Sequence, residues 1–137
     1  MEINNLTTEW TLLQNQYDSY EKYSLVIKLV CLYISANTLI SEAVPPYLLA
    51  VIAIFWLLDA IWKTFQSRIE IRLLTLERVL AEQSSEITTM PYQFNTEFAK
   101  QRPSGTALIA EYLKQALRPT IAFPYALLVL VSVITLI

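Results

Sequence analysis

Tyr47 to Leu80 reads YLLAVIAIFWLLDAIWKTFQSRIEIRLLTLERVL. Up to Trp62 the stretch is apolar apart from Asp59, with Phe55, Trp56 and Trp62 supplying bulk and Tyr47 and Trp62 placed for the two faces of a bilayer. Beyond it nothing stops the helix. Trp62, Phe65, Ile69, Leu73, Leu76 and Leu80 continue at spacings of three and four among charged residues, which is one stripe of an amphipathic helix. One helix over 46–87 is therefore expected to serve as a span and then as a stalk, ending where Ser84, Ser85, Thr88, Thr89 and Pro91 accumulate.

Upstream the same construction appears in mirror order. Leu6, Trp10, Leu13, Tyr17 and Tyr20 form a stripe whose phase continues through Ser24, Ile27, Cys31 and Ile34, and no Pro or Gly interrupts it before Pro45. A helix over 6–41, roughly 50 Å long at 1.5 Å per residue, is expected. Its second half, Leu25 to Ser41, has about the minimum length for a span. Glu42-Ala-Val-Pro-Pro46 then turns the chain, because proline restricts its predecessor and lacks the amide that a continuing helix requires. The first 23 residues lack the basic segment of a cleavable signal and are expected to stay in the mature protein.

Downstream, 88–105 reads as a loop with room for one short helix. Residues 106–118 alternate Leu108, Ile109, Tyr112 and Leu113 with Glu111, Lys114 and Arg118, an amphipathic helix suited to the membrane interface. Residues 119–137 form a third apolar span, with Pro124 tolerable in a first helical turn. The expected fold is an all-α membrane protein forming one domain over 1–137. It has three transmembrane helices, the first two making a long antiparallel hairpin that extends into the cytoplasm as a stalk, plus an interfacial helix before the third span.

Composition agrees with a membrane and removes much chemistry. Of 137 residues 55% are hydrophobic, against roughly 45–50% in soluble domains. There is no histidine, one cysteine (Cys31) and one glycine (Gly105). Histidine-based triads, Cys/His zinc sites and glycine-rich phosphate loops lack their parts, and a net charge of −2 leaves no footprint for nucleic acid. No cofactor, metal, small-molecule substrate or catalytic group is expected.

Orientation follows from the bases. Lys63, Arg68, Arg72, Arg78, Lys100, Arg102, Lys114 and Arg118 all lie between the second and third spans, and none lies in the turn between the first two. Basic flanks stay inside, so a multi-pass protein of a bacterial inner membrane is expected, N-terminus cytoplasmic and C-terminus external. Lys63, Arg68, Arg72 and Arg118 are then placed for lipid headgroups.

A hairpin centred between residues 43 and 44 sets Lys28 opposite Asp59, the charged residues inside the first two apolar stretches, as an intramembrane ion pair. It also sets Trp10, Leu13, Tyr17 and Tyr20 against Phe65, Ile69, Leu73, Leu76 and Leu80 as a stalk seam. Ile71, Leu74 and Val79 fall off that seam and suggest a second apolar face. Ser35, Asn37 and Thr38 could face a lumen or bond between helices. The expected function is non-enzymatic: an anchor, adaptor or subunit of a membrane assembly that binds itself or another protein through its stalk. The alternative is an oligomeric pore-forming or membrane-perturbing effector of the defence or toxin type.

Overall fold

The computed structural model describes residues 2–41, 44–82, 89–101 and 103–137. These residues form five helices: α1 (Glu2–Ile40), α2 (Tyr47–Glu82), α3 (Phe94–Gln101), α4 (Thr106–Ala116) and α5 (Pro119–Leu136). Three of them, α1, α2 and α5, are long and apolar enough to cross a membrane.

α1 runs unbroken through 39 residues and starts four residues earlier than the stripe indicates. Thr7, Thr8 and Thr11 return their hydroxyls to the carbonyls of Ile3, Asn4 and Thr7, so these residues, often helix-neutral, are satisfied inside the first turns. At the other end the Ser41 hydroxyl and amide donate to Asn37 and Thr38, closing the last turn ahead of Pro45 and Pro46. Glu42 and Ala43 of the turn lie outside the described residues, as does the expected helix end near residue 87.

α1 and α2 pack side by side and antiparallel. Trp10 donates its indole N–H to Glu77 at 3.1 Å, and Lys28 lies 3.2 Å from Asp59, so both ends of the long contact share one register. The connection after α2 contains an eight-residue helix, α3, within the segment read as a loop with room for one short helix. α4 then packs on α2: Glu111 binds Arg68, and the Ala116 carbonyl accepts the Trp56 indole at 2.9 Å. It follows the side of α2 as it descends. Its last turn ends at Ala116, because Arg118 takes the extended backbone that a following proline requires (φ −61°, ψ 133°).

Pro119, not Pro124, occupies the first turn of α5; Pro124 lies inside the helix, where it forfeits a backbone bond. α5 packs against both α1 and α2. Cys31, Leu48, Ile52, Ile121 and Tyr125 form the core of this three-helix bundle, with Trp56 stacked on Tyr125 at 5.9 Å between ring centres. The outside of the bundle is apolar as well, unlike that of a water-soluble one. Ser24, Ser35, Asp59 and Ser132 are buried inside it, whereas Leu29, Leu32, Leu57, Leu127, Leu130 and Ile134 face outward.

Candidate functional site

Asp59 on α2 is a fully buried carboxylate. Its carboxylate is met from both neighbouring helices. From α1 the Ser24 hydroxyl donates to Oδ1, and Lys28 Nζ approaches Oδ2 at 3.2 Å while donating to Ser24 Oγ at 2.9 Å. From α5 the Tyr125 hydroxyl donates to Oδ2 at 3.2 Å. Ser24 and Lys28 stand four apart on α1, hence on one face, so a single turn supplies both partners. A carboxylate in this setting needs such donors, because an unpaired buried charge costs several kcal/mol. The Lys28 head remains partly exposed, consistent with its long stem reaching toward water.

Next along the hairpin comes a polar rung. Lys63 Nζ binds Glu21 and also the Gln66 amide oxygen at 2.8 Å, and Gln66 in turn donates to Glu21 and to the Tyr17 carbonyl. The Lys63 ammonium, with help from the Gln66 amide, holds the Glu21 carboxyl below the ordinary carboxylate range. Burial, reinforced by Glu70 and Glu21, raises the Tyr17 phenol. An aromatic cluster sits at the same level, Trp62 lying 5.2 Å from Tyr20 and 5.6 Å from Tyr23.

Arg72 is the centre of the stalk. Its Nε and Nη2 meet the two oxygens of Glu9 at 2.9 and 3.2 Å, its Nη1 donates to Glu97 of α3 at 2.9 Å, and Nη2 also reaches the Met90 carbonyl. Glu9 accepts one more bond, from the Tyr92 amide at 2.7 Å, where Tyr92 holds a positive φ of 59°. One buried guanidinium therefore ties α1, α2 and the start of α3 together.

Of the residues expected to contact headgroups, Arg72 must be corrected: it is buried, its donors shared among the Glu9 carboxylate, Glu97 and the Met90 carbonyl. Lys63 and Arg68 are ion-paired, and Arg118 is exposed at the start of α5. Along the seam, Ile69, Leu73 and Leu76 are buried, and Leu13, Tyr17, Tyr20 and Leu80 are half-buried. Trp10 lies half-buried at the rim. Phe65 departs from the seam. It is 40% exposed and lies on the side where α3 docks, near Phe94 and Phe98. On α1, Leu6 and Glu9 are buried along the inner line of the stalk.

Ser35 is buried in the bundle, whereas Asn37 is exposed and Thr38 half-buried, each of the latter two bonding its own helix backbone. The three do not share a face. Sequence reasoning missed Ser24, Tyr125, Glu9 and Glu97. Ser24 alone carried a local signal, its spacing from Lys28; the others come from distant elements.

Comparison with protein-family models, curated proteins and solved structures finds no match for this chain. Among the described residues no cluster of acidic or thiol side chains is arranged to hold a metal ion.

Proposed function

We propose that this chain is a non-enzymatic, three-span protein of a bacterial inner membrane whose cytoplasmic stalk joins copies of itself, or another protein, into a membrane assembly. The observation that carries the reading is the stalk's unburied apolar surface. Leu12 on α1 is 61% exposed, and Ile71 and Leu74 on α2 are 65% and 56% exposed, all on the polar half of the hairpin where a lone stalk favours charge. The bases between α2 and α5 support the cytoplasmic placement.

The test is the mass of the full chain in nanodiscs, compared with a Leu12→Gln, Ile71→Gln, Leu74→Gln variant. A defined complex that loses copies or a co-purifying protein in the variant supports the reading; an unassembled wild-type chain refutes it. A pore is the second reading, favoured by Asn37 facing outward from the apolar part of α1. Dye leakage from vesicles that rises with oligomer formation, and falls with Asn37→Leu, would replace the adaptor with a channel.

A further inference from the structure

Tyr33 and Asn37 stand one turn apart on α1, on the side turned away from the bundle. Cys31 and Ser35 beside them are buried, Cys31 against Leu48 and Ile52 of α2 and Ile121 and Tyr125 of α5. Two residues turn a helix by about 200°, so Tyr33 and Asn37 face outward instead. Tyr33 is 68% exposed, and no hydrogen bond to its hydroxyl occurs among the described residues. The register that pairs Trp10 with Glu77 and Lys28 with Asp59 sets residue 33 beside residue 54, half-way between Tyr47 and Trp62. On the reading of 25–41 as a span, eight residues, about 12 Å, separate Tyr33 from either face, farther than its side chain reaches. A phenol at that depth departs from the placement of tyrosine at the membrane–water boundary, and hydrocarbon offers it no acceptor.

Asn37 carries the matching acceptor. Its Nδ2 donates to the Tyr33 carbonyl at 2.8 Å, which leaves Oδ1 to accept from elsewhere. Both residues also belong to one stripe. Tyr23, Val26, Val30, Tyr33 and Asn37 follow one another at alternate steps of three and four, and all five are exposed. Such spacing is the seam of two parallel helices, and an asparagine in it fixes register and the number of strands. A two-fold axis along the membrane normal brings the phenol of each copy toward the free amide oxygen of the other, so the face is complementary to itself. We propose that α1 pairs with α1 of a second copy inside the apolar layer, each Tyr33 hydroxyl donating to Oδ1 of the partner's Asn37. The pairing rests on the reading of α1 as a span and is separate from the apolar surface of the stalk.

The experiment uses the full chain, labelled at its N-terminus, in phosphatidylcholine vesicles, and follows energy transfer between copies as lipid is added. Protease protection of the three apolar helices in the same vesicles tests the span reading separately. Transfer should follow a two-copy equilibrium. Tyr33→Phe, which removes one oxygen, should weaken it about tenfold, the size of two modest hydrogen bonds between membrane helices. Asn37→Ala should weaken it as much alone and add little in the Tyr33→Phe background. On oxidation Val30→Cys should give a linked dimer, whereas Leu32→Cys, exposed on the far side of α1, should not. The link should persist in the Leu12→Gln, Ile71→Gln, Leu74→Gln variant, which distinguishes this contact from assembly through the stalk. Tyr33→Phe pairing as tightly as the wild type would overturn the hydrogen-bonded seam. No link at position 30, or equal links at 30 and 32, would overturn the choice of face even where the stalk still joins copies. Loss of the link in the stalk variant would make the contact a by-product of the stalk, and a larger assembly with dye leakage would replace the dimer with a pore. Absence of transfer at every dilution would leave lipid covering the face and overturn the proposal.

Discussion

Asp59 joins three helices through one carboxylate. It lies within about one helical turn of Trp62, the expected bilayer face, so its cost stays below the roughly 2.5–3.5 kcal/mol that insertion scales give a charge at the midplane. Three donors from two neighbouring helices offset that cost. Replacing it leaves Lys28 able to extend toward water, so Asp59→Ala should destabilise the embedded fold by about 1–3 kcal/mol, with Lys28→Ala recovering part of the loss in the double variant. Reversible unfolding in mixed micelles measures the cycle, and strictly additive losses would contradict coupling. Tyr125→Phe should cost about 0.5–1.5 kcal/mol by the same measurement, since only one hydrogen bond is removed.

Glu21 gives a pH prediction of definite sign. Lys63 depresses its carboxyl in the folded chain, so the stabilisation is present above the ordinary carboxylate range and disappears as pH falls through the depressed folded value. Stability of the hairpin against heat should decline over that acidic window, and Glu21→Gln should flatten the decline.

The elements divide according to what covers them. The apolar halves of α1 and α2 are long enough to cross a membrane and need little cover, but their polar halves are amphipathic helices that tertiary contact must hold. Arg72 supplies much of that contact. Arg72→Met removes the cation while leaving Glu9 buried beside the seam, and breaking such a buried pair costs about 3–5 kcal/mol. Because Glu97 and the Met90 carbonyl lose their donor together, α3 should come off the stalk before the α1–α2 contact opens. Amide exchange rising first across residues 94–101, with the bundle core still protected, is the expected result; uniform loss of protection would place α3 outside the control of Arg72. α3 itself was only partly legible, since an eight-residue helix between Pro91 and Pro103 holds only about two turns, too few for a period to register.

At the scale of the whole molecule, one continuous α1–α2 hairpin runs through bundle and stalk, with α4 packed on α2 and α5 on both helices. The topology proposal makes a direct prediction: a reporter fused at residue 1 is cytoplasmic and one fused after Ile137 is external, as the bases of the α2–α5 connection require. The reverse result would also reverse the side of the membrane on which the stalk seeks its partner.

The sequence by itself determined the three long apolar helices, the break at Pro45 and Pro46, and the antiparallel register that sets residue 28 against residue 59. Hydrophobic period, proline position and the cost of charge in an apolar setting are local properties that a linear chain displays. Only the tertiary structure decided that Tyr125 completes the Asp59 site, that Arg72 turns inward to Glu9 while Phe65 turns outward, and that Arg68 pairs with Glu111 of α4. Those outcomes depend on which faces of α3, α4 and α5 reach α2, and packing between segments far apart in sequence leaves no trace in the spacing of either one.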